Sequence, residues 1–395
     1  MPEQDFSTRP PHTGADLKIV DIVAYPTSYP LPPAARVTMG VGRAIKRDAV
    51  VVKVVTAGGL VGFGEAHHGR AHTAIAALIN TTLKQLVLGF DASDNVGVWD
   101  RIYKMQLSGH GMGAGTSMAM SGIDMALWDI RGKAVGWPLW KLFGGSRRPI
   151  PAYAGGVSLG YGPSGQLVED VAALVERGYK AVKIRIGDTV ACDVERIGAV
   201  RKAFPDLALL TDANTGYDLD DARRAMPRLD ELGVDWLEEP FPAHDYRSYR
   251  EAKRYGHVPL AAGENHYTRF EFNRLIEDGS ITILQPDLAK SGGFTEGFRI
   301  AAMASAYKLP IHPHTAMSGL SMAASVHFLA AIDNAGYFEA DAGKINLLRD
   351  DLVSATPFTV GSDGSVLPLD GPGLGVQVNE DFLKAYPAIE GPSYV

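Results

Sequence analysis

Short apolar segments alternate with helical patterns at a steady interval from Pro149 onwards, and no other sequence feature constrains the fold as strongly. Eight segments have the length and apolar content of buried strands: 151–155, 181–187, 208–214, 236–240, 259–265, 281–287, 309–314 and 336–340. Helical patterns lie between them, for example at 166–176, 194–204, 220–232 and 293–307. Eight strands alternating with helices over about 200 residues predict an α/β fold, a (β/α)8 barrel of the TIM type.

The remaining residues form three further regions. Residues 1–16 have neither the basic start nor the apolar core of a signal peptide and are expected to be a disordered tail. Residues 17–147 contain strand-like segments at 17–30 and 49–66 and helical patterns at 72–88 and 117–141, which predicts an α+β capping domain. The barrel is assigned to 148–355. The turn-rich residues 356–395 are expected to pack back on the capping domain.

Composition excludes several classes of protein. The 395 residues carry a net charge of −7 without a basic block, which argues against a nucleic-acid partner. No apolar run reaches the roughly 18 residues of a membrane span. The single cysteine, Cys192, cannot form an internal disulfide, and no Cys/His cluster suggests structural zinc. We therefore expect a cytoplasmic protein with no membrane partner.

Polar residues lie at the C-terminal ends of the predicted strands. From the second strand to the eighth they are Lys183 and Arg185, Asp212 and Asn214, Glu238, Glu264, Asp287, His314 and Glu339. Because the carboxyl ends of barrel strands converge on one mouth, where the active sites of this fold lie, these side chains are expected to form one site. Isolated buried acids would be costly, whereas acids that converge with cations can bind metal and catalyse.

Three of these residues predict a metal site. Asp212, Glu238 and Glu264 are carboxylates on adjacent strands, and hard oxygen ligands with open positions suit Mg²⁺. Mn²⁺ is the nearest competitor.

A candidate base and two cations accompany the carboxylates. A carboxylate such as Asp287, bonded to one imidazole nitrogen of His314, would raise the basicity of the other nitrogen. His312 shares the phase of His314 and remains an alternative. Lys183 and Arg185 also share one strand phase, and two cations beside a carboxylate-rich site imply an anionic substrate.

The order and spacing of these residues resemble those of the enolase superfamily, and more closely its mandelate racemase subgroup. The segment SGIDMALWDIRGKAVGWPLWKLFGG at 121–145 is similar to the helical signature of the family's capping domain. TDAN, LEEP, AAGEN, LQPD and the histidine-bearing strand end follow in family order. The subgroup assignment depends partly on Asp287, because the muconate-lactonizing branch has a lysine at that strand end. Lys290 is three residues beyond it.

The resemblance implies a role for each matched residue. Asp212, Glu238 and Glu264 would be the metal ligands, and His314 with Asp287 the catalytic dyad. Glu339 would be the proton donor to the developing enolate, and Asn214 a polar residue beside the metal. Lys183 matches the first lysine of the family's Lys-x-Lys motif. The family also forms homo-oligomers, which implies a dimer or an octamer here.

One departure from the family pattern affects the predicted reaction. The second lysine of Lys-x-Lys, the opposite-face base in racemases, is Arg185 here. A guanidinium keeps its proton far above neutral pH and serves better as a clamp on carboxylate oxygens. One-base chemistry through His314 is favoured, namely Mg²⁺-dependent dehydration of an aldonic or aldaric acid to a 2-keto-3-deoxy acid. A racemase, epimerase or cycloisomerase of a hydroxy acid, and a non-catalytic metal or sugar-acid binding protein, remain alternatives.

Two loops of the capping domain are expected to select the small-molecule carboxylate substrate. They are Pro26–Arg43 and Gly64–Thr73, and the second contains His67, His68 and Arg70. Polar residues of this kind suit a polyhydroxy acid or a diacid better than an aromatic acid. An ordinary solvated loop is the alternative interpretation.

Overall fold

The capping domain contains an antiparallel sheet. The computed structural model describes residues 16–109, 113–315 and 317–395, so nearly all of the predicted tail at 1–16 lies outside it. The first strands are β1 (Ile19–Pro30), β2 (Thr38–Met39), β3 (Gly42–Arg43), β4 (Lys46–Thr56) and β5 (Val61–Ala66). β1, β4 and β5 form the sheet in that order, and β2 and β3 form a separate hairpin. Both strand-like segments predicted from the sequence are therefore confirmed.

Helices cover one face of this sheet. They are α1 (His72–Leu78), α2 (Lys84–Val87), α3 (Asn95–Ile102), α4 (Ala114–Val135) and α5 (Leu139–Leu142). A wider π-type segment at Ile79–Leu83 joins α1 to α2, so the predicted helix at 72–88 is interrupted. The sequence reading missed α3, whose N-terminus is capped by Asp94. α4 packs so closely on β5 that a Cβ on Gly64 would lie 2.3 Å from the Gly122 carbonyl oxygen.

The barrel strands run parallel. They are β6 (Ile150–Gly155), β7 (Ala181–Arg185), β8 (Ala208–Asp212), β9 (Trp236–Glu238), β10 (Leu260–Ala262), β11 (Ile283–Leu284) and β12 (Phe338–Asp341). Hydrogen bonds link them in the order β11-β10-β9-β8-β7-β6-β12. The predicted strand at 309–314 is reduced to Ile311, which bridges Leu284 on one side and Ala335 on the other. Pro310 and Pro313 flank Ile311, and proline cannot donate to a strand ladder.

Helices follow the barrel strands. They are α6 (Ser164–Glu176), α7 (Val190–Ala203), α8 (Leu219–Glu231), α9 (Tyr246–Ala252), α10 (Thr268–Asp278), α11 (Gly293–Ala306), α12 (Gly319–Leu329) and α13 (Leu347–Asp350). The four helical patterns cited from the sequence match α6, α7, α8 and α11. No helix in the described part of the chain is both long enough and apolar enough to cross a membrane.

The last residues contact both the barrel and the capping domain. β13 (Ser365–Val366) pairs antiparallel with β6, and α14 (Glu380–Ala385) follows it. After α14, the carbonyl of Tyr386 accepts two hydrogen bonds from β1. One comes from the backbone N–H of Ser28 and the other from the side-chain hydroxyl of Thr27.

The barrel interior is layered. Its floor is an apolar cluster formed by Tyr153, Ala181, Leu210, Trp236 and Ala261. Two residues further along β7, β8 and β9, the side chains on the same face are charged, because alternate residues of a strand point the same way. A polar layer therefore lies directly above an apolar floor, and this layer carries the candidate site.

Candidate active site

Three carboxylates meet at the mouth of the barrel. Asp212 ends β8, Glu238 ends β9, and Glu264 lies two residues beyond β10. One carboxylate oxygen from each lies within 4.8 Å of the other two. Burial and the neighbouring Asp212 raise the pKa of Glu238 above its usual value, because like charges are crowded away from water. Three converging hard oxygen ligands fit a divalent cation such as Mg²⁺ or Mn²⁺.

Lys183 lies beneath this cluster. Its Nζ is 2.8 Å from Glu238 Oε1 and 3.0 Å from Glu339 Oε1, and the side chain is fully buried. Burial alone would lower the pKa of Lys183, but the Glu238 and Glu339 carboxylates outweigh it and raise the pKa. Lys183 is therefore a fixed cation.

Arg185 lies beside the Asp212 end of the cluster. Its Nη1 pairs with Asp212 and lies 3.2 Å from Asn214 Oδ1, and its Nη2 donates to the carbonyl of Gly156. Burial would lower the pKa of Arg185, but Asp212 raises it, so the guanidinium stays protonated. The backbone N–H of Asn214 donates to Asp212 Oδ1 at 2.8 Å, which places Asn214 directly beside a candidate ligand.

His314 lies at the opposite end of the carboxylate cluster from Arg185, beside Glu264. Its Nδ1 is 2.8 Å from Asp287 Oδ2, and its Nε2 is 3.1 Å from Glu264 Oε2. The backbone N–H of Ala289 donates to the other Asp287 oxygen at 2.7 Å and so fixes that carboxylate. Burial would lower the pKa of His314, but Glu264 and Asp287 raise it. A histidine supported in this way can act as a general base through Nε2.

His312, the alternative base, lies in the barrel floor. The backbone N–H of Tyr337 donates to His312 Nδ1 at 3.0 Å, and the His312 ring packs edge-on against Trp236. Burial lowers the pKa of His312 to about 4. His312 does not line the site cavity, so of the two histidines only His314 faces it.

Glu339 accepts hydrogen bonds in this structure. The backbone N–H groups of Gly156 and Thr315 donate to its two oxygens at 2.9 and 3.2 Å. Burial would raise the pKa of Glu339, but Lys183 and His314 hold it at about 2. The carboxylate is therefore ionised. Its implied role as a proton donor stays a prediction, and it requires Glu339 to take up a proton when substrate binds.

A cavity of about 310 Å³ lies between the barrel and the capping domain. Four of the residues predicted on the barrel line it: Arg185, Asn214, Glu264 and His314. His67 and Arg70 line it from the capping domain. The other five, Asp212, Glu238, Lys183, Asp287 and Glu339, are buried behind this first layer.

Only parts of the two loops expected to select the substrate line the cavity. Residues 26–30 of Pro26–Arg43 belong to β1, where Pro26 and Pro30 are tolerated because β1 is an edge strand. From the rest of that loop, Met39 and Val41 line the cavity. From Gly64–Thr73 only 67–70 line it.

Two histidines of the second loop, His67 and His68, are buried. Burial and nearby Lys290 hold the pKa of His67 well below its usual value, and burial lowers that of His68 to about 3. Both rings are therefore neutral. The backbone N–H of His67 donates to the carbonyl of Ala289, which links this loop to the barrel beside Asp287.

Several polar residues of the site were missed by sequence reasoning. Gln285 donates from Nε2 to Glu238 Oε2 at 2.7 Å, and Lys290 Nζ lies 3.3 Å from Glu264 Oε1. Buried Glu239 accepts from Asn265 Nδ2 at 2.7 Å, and burial together with Glu264 raises the pKa of Glu239 well above its usual value. Gln285 had a signal, since it lies two residues before Asp287 on a predicted strand. Lys290 lies in a loop, where no periodicity applies.

Comparisons with known proteins agree with this geometry. Residues 23–144 match the family model for the mandelate racemase/muconate lactonizing enzyme N-terminal domain, and residues 166–382 match the enolase C-terminal domain-like model. The chain therefore belongs to the enolase superfamily, in its mandelate racemase/muconate lactonizing enzyme family.

Two curated enzymes and two solved structures are among the proteins to which the chain is similar. The chain is 33% identical to arabinonate dehydratase of Saccharolobus solfataricus over 86% of this chain and 90% of that protein. It is 31% identical to 3,6-anhydro-alpha-L-galactonate cycloisomerase of Streptomyces coelicolor, over 90% and 96%. Among solved structures, an enolase superfamily member from Polaromonas sp. JS666 is 54% identical, with a TM-score of 0.93 over 96% of this chain and all of that one. A racemase from Streptomyces coelicolor with bound magnesium, 28% identical, has a TM-score of 0.85 over 94% and 100%.

Proposed function

We propose that this protein is a Mg²⁺-dependent acid-sugar dehydratase, which converts an aldonic or aldaric acid into a 2-keto-3-deoxy acid. One observation carries the proposal: His314 and Arg185 lie at opposite ends of a three-carboxylate cluster, and only His314 can accept a proton near neutral pH. A relative that is 33% identical over most of both chains is an arabinonate dehydratase, which supports the same reaction class.

Asp212, Glu238 and Glu264 would hold the metal ion. When bound, Mg²⁺ supplies Lewis-acid stabilisation of the second negative charge that develops on the substrate carboxylate. Lys183 and Arg185 add two permanent positive charges on the barrel side of the substrate carboxylate. Because both cations are buried and held by carboxylates, their attraction is preorganised and is not weakened by water.

His314 carries the proton chemistry in this proposal. Asp287 accepts from Nδ1, so the neutral ring carries its lone pair on Nε2, and this atom removes the proton alpha to the carboxylate. The electrons of the C–H bond first place a second negative charge on the carboxylate and then form the double bond between the alpha and beta carbons as the bond to the beta hydroxyl breaks. His314 returns its proton to that hydroxyl, which leaves as water if the two groups share a face. The resulting enol tautomerises to the 2-keto acid.

A library assay tests the proposal. Purified protein with Mg²⁺ is incubated with individual aldonic and aldaric acids, and 2-keto acids are trapped with semicarbazide. We expect keto acid from one or a few stereochemically related acids, and none after chelation. Keto acid from no member of a complete five- and six-carbon library would contradict the proposal.

A cycloisomerase is the second candidate, because one relative, 31% identical over most of both chains, has that activity. One-base cycloisomerisation needs the same alpha-proton chemistry, so the site alone does not distinguish the two reactions. Mass spectrometry of the reactions of each acid and of its lactone or anhydro derivative does. Dehydration removes one water from the substrate, whereas cycloisomerisation opens the ring and leaves the elemental formula unchanged.

The assembly and cellular location of the protein stay predictions. Family resemblance predicts a dimer or an octamer, which sedimentation velocity or light scattering measures directly. The expected cytoplasmic location can be checked by fractionation of the source cells.

A further inference from the structure

Residues 391–395, here called the 391–395 segment, return to the candidate active site. The backbone of Val395 donates to and accepts from that of Arg43 at 3.0 and 2.7 Å, and Ile45 N donates to Ser393 O at 2.9 Å. The segment thereby adds a short antiparallel stretch beside β3. The Ser393 hydroxyl also bonds buried Asp48. These contacts fix the residue between Ser393 and Val395, which is Tyr394.

Tyr394 lines the cavity and contacts Arg70. The Arg70 guanidinium carbon lies 5.3 Å from the centroid of the Tyr394 ring, within the range of a cation–π contact. Tyr394 is half-buried, and the Arg70 guanidinium lies over its ring face. The ring face is therefore the part of Tyr394 that acts on Arg70.

Arg70 differs from the other cations of the cavity wall. Arg185 is paired with Asp212, and Lys290 is paired with Glu264. Within the described ranges, Arg70 has no carboxylate within ion-pair distance, although it lines the same cavity from the capping domain. An exposed guanidinium that is held by an aromatic ring and lacks an anion has its donors available for a ligand carboxylate.

We propose that Tyr394 is a positioning residue that holds Arg70 against the far carboxylate of a dicarboxylic, aldaric substrate. The inference rests on the proposed function, because the metal cluster is taken to bind the carboxylate at the reacting end. It also assigns the 391–395 segment to the substrate-selecting surface, together with 67–70 and the β2–β3 hairpin.

Matched substrate pairs test the inference: galactonate with galactarate, gluconate with glucarate, and arabinonate with arabinarate. The wild-type protein is expected to favour the aldarate of its active pair by at least about tenfold in kcat/KM. Arg70→Gln should lose that preference, mainly through a higher KM, as expected when a remote group binds substrate and transition state equally. Arg101→Gln, which removes an exposed arginine of α3 that does not line the cavity, is the matched control.

Tyr394 is tested by two substitutions. Tyr394→Leu keeps an apolar side chain but removes the ring face, and should lower kcat/KM for the aldarate about three- to tenfold through KM. Tyr394→Phe keeps the ring and should retain most of the preference. In the double variant with Arg70→Gln, Tyr394→Leu should add no further loss, because it acts through Arg70.

Specific outcomes overturn the inference. A wild-type preference for the aldonate, or an unchanged aldarate KM in Arg70→Gln, removes the second-carboxylate site while leaving dehydration intact. A Tyr394→Phe variant as impaired as Tyr394→Leu shows that the ring face does not position Arg70. If the wild-type protein dehydrates neither member of any pair in the full library, the proposed function itself fails, and this inference fails with it.

Discussion

The barrel wall and the capping wall of the cavity compensate their charges in different ways. On the barrel wall, Arg185 and Lys290 are buried, and each is paired with a carboxylate. On the capping wall, burial keeps His67 and His68 neutral, and the exposed Arg70 has no ion-pair partner in the described part of the chain. The barrel wall is thus preorganised for charge that develops on a carboxylate. The capping wall offers one uncommitted charge, which suits recognition of a variable substrate group.

Metal removal should have the largest effect and would show whether the barrel wall depends on a cation. Chelation should reduce dehydration to background, and Mg²⁺ should restore it. Glu238→Gln should weaken Mg²⁺ binding in calorimetric titrations while the circular dichroism spectrum stays unchanged, because the substitution removes one of three crowded carboxylates. Glu277→Gln, on the exposed surface of α10, is the control. Full activity in rigorously metal-free protein would refute the assignment.

Loss of the base should have the next largest effect. His314→Asn roughly preserves size and one hydrogen bond but cannot accept the alpha proton. General-base removal typically costs about 10²- to 10⁴-fold in rate. NMR in deuterated water should show that exchange of the substrate's alpha proton stops, whereas the exposed-site control His257→Asn exchanges normally. Exchange at the wild-type rate in His314→Asn would refute the assignment of His314 as the base.

Gln285 tests whether the barrel wall depends on groups behind the metal ligands. Gln285→Met keeps the length of the side chain but removes the donor to Glu238 Oε2. Groups that orient metal ligands typically change affinity about 10- to 100-fold, so the Kd for Mg²⁺ should rise within that range. High Mg²⁺ should restore most of the activity. Gln377→Met, at an exposed position, controls for the substitution, and an unchanged Kd would show that Gln285 does not orient the ligand.

The difference between regular strand ends and irregular segments explains which site residues the sequence could predict. Strand ends of a barrel recur at regular intervals, so the positions of Asp212, Glu238 and Glu264 followed from periodicity, and they converge as expected. The seventh strand was overestimated because a run such as LPIHPH looks apolar, while its prolines prevent a ladder. Lys290 and Tyr394 lie in irregular segments, whose positions depend on long-range contacts that no local pattern encodes. The contact between Tyr394 and Arg70 joins residues 324 positions apart.

The smallest expected effect is on the free energy of unfolding, and it concerns a hydrogen bond between the capping domain and the barrel. Glu65, at the end of β5, accepts a hydrogen bond at 3.1 Å from the backbone N–H of Ser318, four residues after His314. Burial raises the pKa of Glu65 from 4.5 to about 7, and nearby Asp287 contributes in the same direction. The folded state therefore binds more protons than the unfolded state between these two pH values. Stability from this group is present at low pH and is lost as the pH rises through about 7, by about 3 kcal/mol in total.

Glu65→Gln isolates this contribution, because the amide oxygen can still accept from Ser318 but carries no titrating proton. Free energies of unfolding from urea titrations between pH 5 and pH 8 should fall for the wild-type protein relative to Glu65→Gln. Other titrating groups are common to both proteins and cancel in the difference. Glu277→Gln, with its exposed carboxylate removed, should run parallel to the wild type. If the Glu65→Gln profile also runs parallel, Glu65 is ionised throughout, and the two walls are joined by a charged contact at Ser318 instead of a neutral one.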